Sequence, residues 1–177
     1  MSGVGVTLEA PRGRARLSDR VPAERVTEII PDIQPLECEM PSLNPYLSFK
    51  NQARDAMEFY QGVFGGDLTV STFAEYPGMG VDPSEENLVM HAQLQTPDGF
   101  VLMGSDTPSH MEYEKPAGIS VSVSGDDEPS LQGYWDKLAD GGSVSMPFDT
   151  PPWGGKFGML TDRYGIDWMV AVNAAQD

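Results

Sequence analysis

The chain has 177 residues, 40% of them hydrophobic, with a formal net charge of −16 and a single cysteine, Cys38. That length suits one compact domain or two small halves sharing a core, the acidity argues against a nucleic-acid partner, which would need a basic surface, and a lone cysteine excludes an internal disulfide or a zinc site built on cysteines. No apolar run is long enough to cross a bilayer, and residues 1–10 lack the charged and apolar regions of a signal peptide, so the chain reads as cytoplasmic with no membrane partner.

Residues 1–40 carry five arginines, seven acidic residues and one weak apolar patch around Val26–Ile30. They read as a flexible N-terminal extension, with Met40 as an alternative start. The remainder, 41–177, reads as a single domain built from module one (43–106) and module two (118–173).

In module one a strand is expected over 43–49, followed by a helix over 53–64. Ala56, Phe59, Tyr60, Val63 and Phe64 fall at i, i+3, i+4, i+7 and i+8, the apolar stripe of a helix packed on one side. Gly65-Gly66 stops it. Strands are then expected over 67–74, 87–95 and 100–105, the last two joined by the turn Thr96-Pro97-Asp98-Gly99. Shifted by 75 positions, Leu131, Tyr134, Trp135, Leu138 and Ala139 reproduce the stripe, and Gly141-Gly142, one position further on, reproduces the stop. Module two is therefore expected as strand 118–124, helix 129–140 behind the acidic opening Asp126–Glu128, and strands 143–148, 156–161 and 166–172. The chain reads as two copies of one βαβββ unit, an α+β fold.

Alternation along each strand assigns its faces. Leu43, Pro45, Leu47 and Phe49 oppose Asn44, Tyr46 and Ser48. Leu88, Met90, Ala92 and Leu94 oppose Val89, His91, Gln93 and Gln95. Ile119, Val121 and Val123 oppose Ser120, Ser122 and Ser124; Ile166, Trp168, Val170 and Val172 oppose Asp167, Met169 and Ala171. The apolar sides are expected on the helices, Trp168 in the core, and the mixed sides along a concave small-ligand cleft.

Paired βαβββ units with these motifs resemble the vicinal oxygen chelate superfamily, which includes glyoxalase I, extradiol dioxygenases and bleomycin-resistance proteins. The motifs are NPYLSF at 44–49, AMEFY at 56–60, FGG at 64–66, VMHA at 89–92, LMGSD at 102–106, and Trp153-Gly154, FGM at 157–159, DRYG at 162–165 and Trp168-Met169. Within the superfamily the chain is similar to the PhnB-like branch. The resemblance implies a curved eight-stranded half-barrel with one helix per module, and a homodimer. It also implies metal ligands at four strand positions, which fall here on Asn44, Met103, Gly118 and Met169. A carboxamide, two thioethers and a glycine suit the usual divalent ion poorly, so no cofactor or metal is expected. Without that ion the Lewis-acid chemistry of the metal-dependent relatives loses its mechanism. Relatives of the branch often carry a ubiquinone-methyltransferase label, yet no strand leads into a glycine-rich turn and helix that would cradle S-adenosylmethionine.

The expected cleft set is Asn44, Tyr46, His91, Gln93, Met103, Ser120, Trp153 and Met169. His91 is the one catalytic candidate, as general base or orienting donor, set against a histidine that merely satisfies polar neighbours. His110 reads as solvated. Trp153 is a cap over the cleft or an apolar plug; the Tyr76–Pro83 loop is a lid or an irregular connection. Small-molecule binding or sequestration is the leading expectation. A lyase, isomerase or dioxygenase using His91, beside Asp106 or with an unconventional metal, is the alternative. An interaction subunit whose cleft is filled by its own side chains is the third.

Overall fold

The computed structural model describes residues 41–174 of the chain, and the extension expected over 1–40 lies outside them. The elements follow the expected order. Module one contains β1 (Tyr46–Phe49), α1 (Ala53–Phe64), β2 (Asp67–Thr72), β3 (Val89–Gln95) and β4 (Val101–Asp106). Module two contains β5 (Val121–Gly125), α2 (Glu128–Ala139), β6 (Ser143–Asp149), β7 (Lys156–Thr161) and β8 (Asp167–Val172). The eight strands form two four-stranded sheets, in the orders β1-β4-β3-β2 and β5-β8-β7-β6, and do not close a barrel. β1 runs parallel to β4 and β5 parallel to β8, the other pairs being antiparallel.

One side of each helix is buried: Ala53, Ala56, Met57, Tyr60, Val63 and Phe64 in α1, Leu131, Trp135 and Leu138 in α2. They meet Leu47, Phe49, Leu94, Leu102, Leu160, Trp168 and Val170 from the strands in one continuous core. Removing that apolar surface from water is the main drive for folding. The glycine pairs stop the helices as expected, and their second members have a further task. A Cβ on Gly66 would sit 2.2 Å from the Gln95 carbonyl oxygen, and one on Gly142 2.6 Å from that of Thr161, so only glycine lets the chain pass the neighbouring strand.

Four local expectations are corrected. Ordered pairing begins at Tyr46, and Leu43, expected to pack inward, is fully exposed. The fifth strand begins at Val121, leaving Gly118 and Ser120 in the loop before it and Ile119 76% exposed. The second strand ends at Thr72, where Phe73–Glu75 turns into a short 3-10 helix. Val89 lies in the core rather than on the mixed face, because the β2–β3 register slips between Ser71 and Thr72. Ser71 pairs with His91 and Thr72 with Val89, and the extra residue reverses the alternation.

Two buried carboxylates tie the elements together. Asp106 accepts from the Ala53 N–H at 2.9 Å and the Val89 N–H at 3.0 Å, joining the start of α1 to β3 and β4. Asp162, at the β7–β8 turn, accepts four bonds: from the N–H groups of Tyr164 (2.8 Å) and Ile166 (3.0 Å), the Tyr60 hydroxyl (2.7 Å) and the Trp168 indole (2.8 Å). The Tyr60 bond crosses from helix α1 of module one to the turn of module two. Module two answers through the Tyr134 hydroxyl of α2, which donates to Asp98 in the β3–β4 turn at 3.0 Å.

Burial, and then the Asp162 charge, hold the Tyr60 phenol well above the ordinary tyrosine pKa of 10.0. A raised folded-state pKa gives stability that is complete below the unfolded value and lost as pH climbs above it. Tyr60→Phe is expected to lower unfolding free energy by about 1.5–3 kcal/mol at neutral pH, the value of a hydrogen bond to a charged group. Above about pH 10 the wild type then loses roughly 1.4 kcal/mol per pH unit relative to the variant, so the gap narrows. Urea titrations of both proteins at neutral and alkaline pH measure it; a gap that widens with pH contradicts the assignment.

Candidate functional site

β1 and β5 each sit at an edge of their sheet, paired on one side alone. Between β5 and the residues ahead of β1, the structure opens a cavity of about 340 Å³. Its walls come from both modules: residues 43–45 ahead of β1, Leu94, Thr96 and Gly99–Leu102 around the β3–β4 turn, Phe64 of α1, Val121–Ser124 of β5, and Trp168 of β8. The walls are largely apolar, with Asn44, Thr96, Ser122 and Ser124 as the polar side chains. Trp168 is held by its indole bond to Asp162, and Thr96 by accepting from the Phe100 N–H at 3.0 Å, so part of the wall is locked. Ser122 and Ser124 make no side-chain hydrogen bond among the described residues, and both are exposed.

Of the expected cleft residues, Asn44 alone lines this cavity. Tyr46, His91, Gln93 and Met103 gather instead on the face of the first sheet turned away from the helices. Tyr46, Met103 and Gln93 are register partners across β1, β4 and β3. The Tyr46 hydroxyl lies 3.3 Å from His91 Nδ1, with the rings stacked at 5.8 Å and 25°. Asp106 does not join them. It shares the core-facing side of β4 with Leu102 and Gly104, and its oxygens are taken by backbone N–H groups. Met169 occupies the corresponding face of the second sheet, in register with Ser122 and Met159, and Met159 pairs in turn with Met146. Ser120 stands half-buried in the loop before β5. Trp153 is 70% exposed, edge-on to Phe157.

Of the four residues expected from the resemblance at ligand positions, Asn44 lies at the cavity, Met103 and Met169 are half-buried on the two sheet faces, and Gly118 is in a loop with φ of 73°. Among the described residues no three His, Cys, Asp or Glu side chains come together. A second, wider depression of about 460 Å³ lies between α1 and α2. Its cations are already engaged: Lys137 Nζ donates to the Gly62 carbonyl at 2.9 Å, and Arg163 bonds Asp140 and covers the Phe59 ring at 4.8 Å.

Sequence reasoning missed Phe64, Leu102, Val121, Val123 and Trp168 as cavity walls because their periodicity marks them as core. The one hint was the repeat itself, which puts the first strand of each half at a sheet edge, paired on one side alone.

The sequence profile of a family described as 3-demethylubiquinone-9 3-methyltransferase matches residues 41–171. The chain belongs to that family. Among solved structures it is similar to PA1353 from Pseudomonas aeruginosa, with 34% identity and a TM-score of 0.69 over 77% of this chain and 100% of that one. It is also similar to the PhnB protein of Bacillus cereus, with 26% identity and a TM-score of 0.60 over 75% and 100%. Protein YjdN of Escherichia coli (strain K12) is 26% identical over 140 residues, 73% of this chain and 94% of that protein. A glyoxylase/bleomycin resistance protein/dioxygenase domain from Frankia sp. EAN1pec shares the fold, with a TM-score of 0.52 at 12% identity over 76% and 98% of the two chains. The chain is thus a PhnB-like member of this family, with the fold of the glyoxalase/bleomycin resistance/dioxygenase proteins.

The two acidic and basic candidates separate by what they hold. Asp106→Ala orphans two buried N–H groups and is expected to destabilise by roughly 1–3 kcal/mol for each. His91→Gln, on the open face of the sheet, is expected to stay within about 0.5 kcal/mol of wild type. Chemical denaturation of both variants checks this, and a neutral Asp106→Ala contradicts the tethering role.

Proposed function

We propose that this PhnB-like protein binds or sequesters a small molecule in the cavity between its modules. The observation that carries the reading is the cavity itself: about 340 Å³, apolar walls and a few separated polar groups, contributed by both halves. Ligand sites have this composition and start at about this size. The reading invokes no metal chemistry at the four positions used by relatives, since thioethers and a carboxamide are poor donors to hard divalent ions. Nor does the family description transfer readily as methyl transfer. The paired glycines close helices against passing strands rather than opening a helix onto a cofactor, so the residues present do not fit an S-adenosylmethionine cradle.

The proposal includes a cytoplasmic homodimer with a small-molecule partner and no nucleic acid. Exposed Val144, Met146 and Trp153, on β6 and the loop after it, supply an apolar edge for a second copy. A second reading, a lyase, isomerase or dioxygenase, is favoured by the Tyr46–His91 contact, which could relay a proton on the open sheet face. It predicts turnover that His91→Gln abolishes while ligand binding persists.

Thermal-shift screening of a metabolite panel tests the main reading. A ligand is expected to raise the wild-type Tm and to lose that effect in Val121→Phe, whose ring fills the cavity. No stabilising compound, or equal stabilisation of the variant, overturns it. Sedimentation equilibrium is expected to give a dimer that the paired substitutions Val144→Lys and Met146→Lys dissociate; a monomeric wild type removes the homodimer from the proposal.

A further inference from the structure

We infer that the ligand of the seam cavity is an uncharged, mainly apolar molecule of one or two rings with a single hydrogen-bonding end, an inference that rests on the binding role proposed above. The chain carries 27 acidic and 11 basic residues, for a net charge of −16, yet among the described residues no ionisable side chain lines this cavity. An ion moved from water into such walls loses its hydration and meets no opposite charge, a cost that exceeds what hydroxyls and an amide return. The volume, about 340 Å³, stands at the lower end of the range for ligand sites, about 300–1,000 Å³, and suits an occupant of one or two rings.

The position of the polar groups orients the occupant. Phe64, Leu102, Val123 and Trp168 are buried and belong to the core, so the deep wall is apolar and favours an aromatic or aliphatic body. Ser122 and Ser124 are exposed, with hydroxyls unengaged among the described residues, and belong to the mouth. A hydroxyl, carbonyl or amide on the ligand meets them there, while its ring lies against Phe100, Val101 and Val121, which keep accessible apolar surface in the wall. The negative surface outside does not reverse this preference, because its field is screened within about 8 Å at physiological ionic strength.

Three probes of one shape separate charge from size: 2-naphthalenemethanol, 2-naphthoate and 2-naphthylmethylammonium. Calorimetric titration of the full chain at physiological salt is expected to show the alcohol binding at least tenfold more tightly than either ion. The Ser122→Lys variant places a cation at the mouth and is expected to improve naphthoate relative to the alcohol by about tenfold, the size of one paired charge near a protein surface. An ion that binds wild type as tightly as the alcohol overturns the uncharged class while leaving the binding role standing. If the alcohol leads but Ser122→Lys changes no ratio, the probes sit elsewhere and the inference fails. If none of the three binds while the metabolite panel yields a ligand lost in Val121→Phe, the uncharged ring class falls and the binding role stands.

Discussion

The Asp162 carboxylate is the constraint on which the molecule depends. Four donors converge on its two oxygens, two from its own turn and two from aromatic side chains. A buried carboxylate is tolerable only when its lone pairs are satisfied in this way. Satisfying them fixes three things at once: the β7–β8 turn, the indole of Trp168, and the hydroxyl end of Tyr60 on the other module's helix. Around that point Tyr60, Phe64, Tyr164 and Trp168 pack ring against ring at centroid separations of 5.5 to 6.3 Å. The position of module one against module two, and therefore the width of the cavity between them, follows from this cluster.

The seam is also where a repeated βαβββ unit has a local deficit. Each copy pairs its first strand with its last, leaving that first strand at an edge. In a single sheet the two edges would satisfy one another; here they stand apart and enclose space. A ligand site thus arises from the topology of duplication, with no insertion or special loop. Thr96 and Asp162 occupy equivalent places in the two turns, both accepting from backbone N–H groups across the turn. The first turn, with a threonine, borders the cavity, whereas the second, with a carboxylate, clamps the core.

The fold was legible because the signals were local. Apolar spacing in Ala56–Phe64 and Leu131–Ala139 and the stop at each glycine pair set both helices to within a residue of their observed bounds. Strand faces followed where pairing was regular. They failed at Val89, where a slipped register that no alternation rule foresees inserts one extra residue and reverses the alternation, and at Leu43 and Ile119, whose apolar character was not matched by a strand to carry them. Tyr46, His91, Gln93 and Met103, expected along a cleft, share one face of the first sheet. The cavity was not legible, since Phe64, Val121 and Trp168 reach it through the relative placement of two modules. Placement of that kind is set by long-range contacts such as Tyr60 with Asp162, 102 residues apart.

The crosswise bonds have a consequence for how the chain can be divided. Each helix leans on the opposite half's hairpin: Tyr60 on Asp162, Tyr134 on Asp98, and Tyr164 back to the Asp55 carbonyl at 3.1 Å. Neither half therefore owns a finished interior. A chain severed in the connection after β4 yields two fragments with matching wet aromatic surfaces, each the missing wall of the other. Such fragments are suited to complementation, and the chamber they would rebuild comes into being with their reunion.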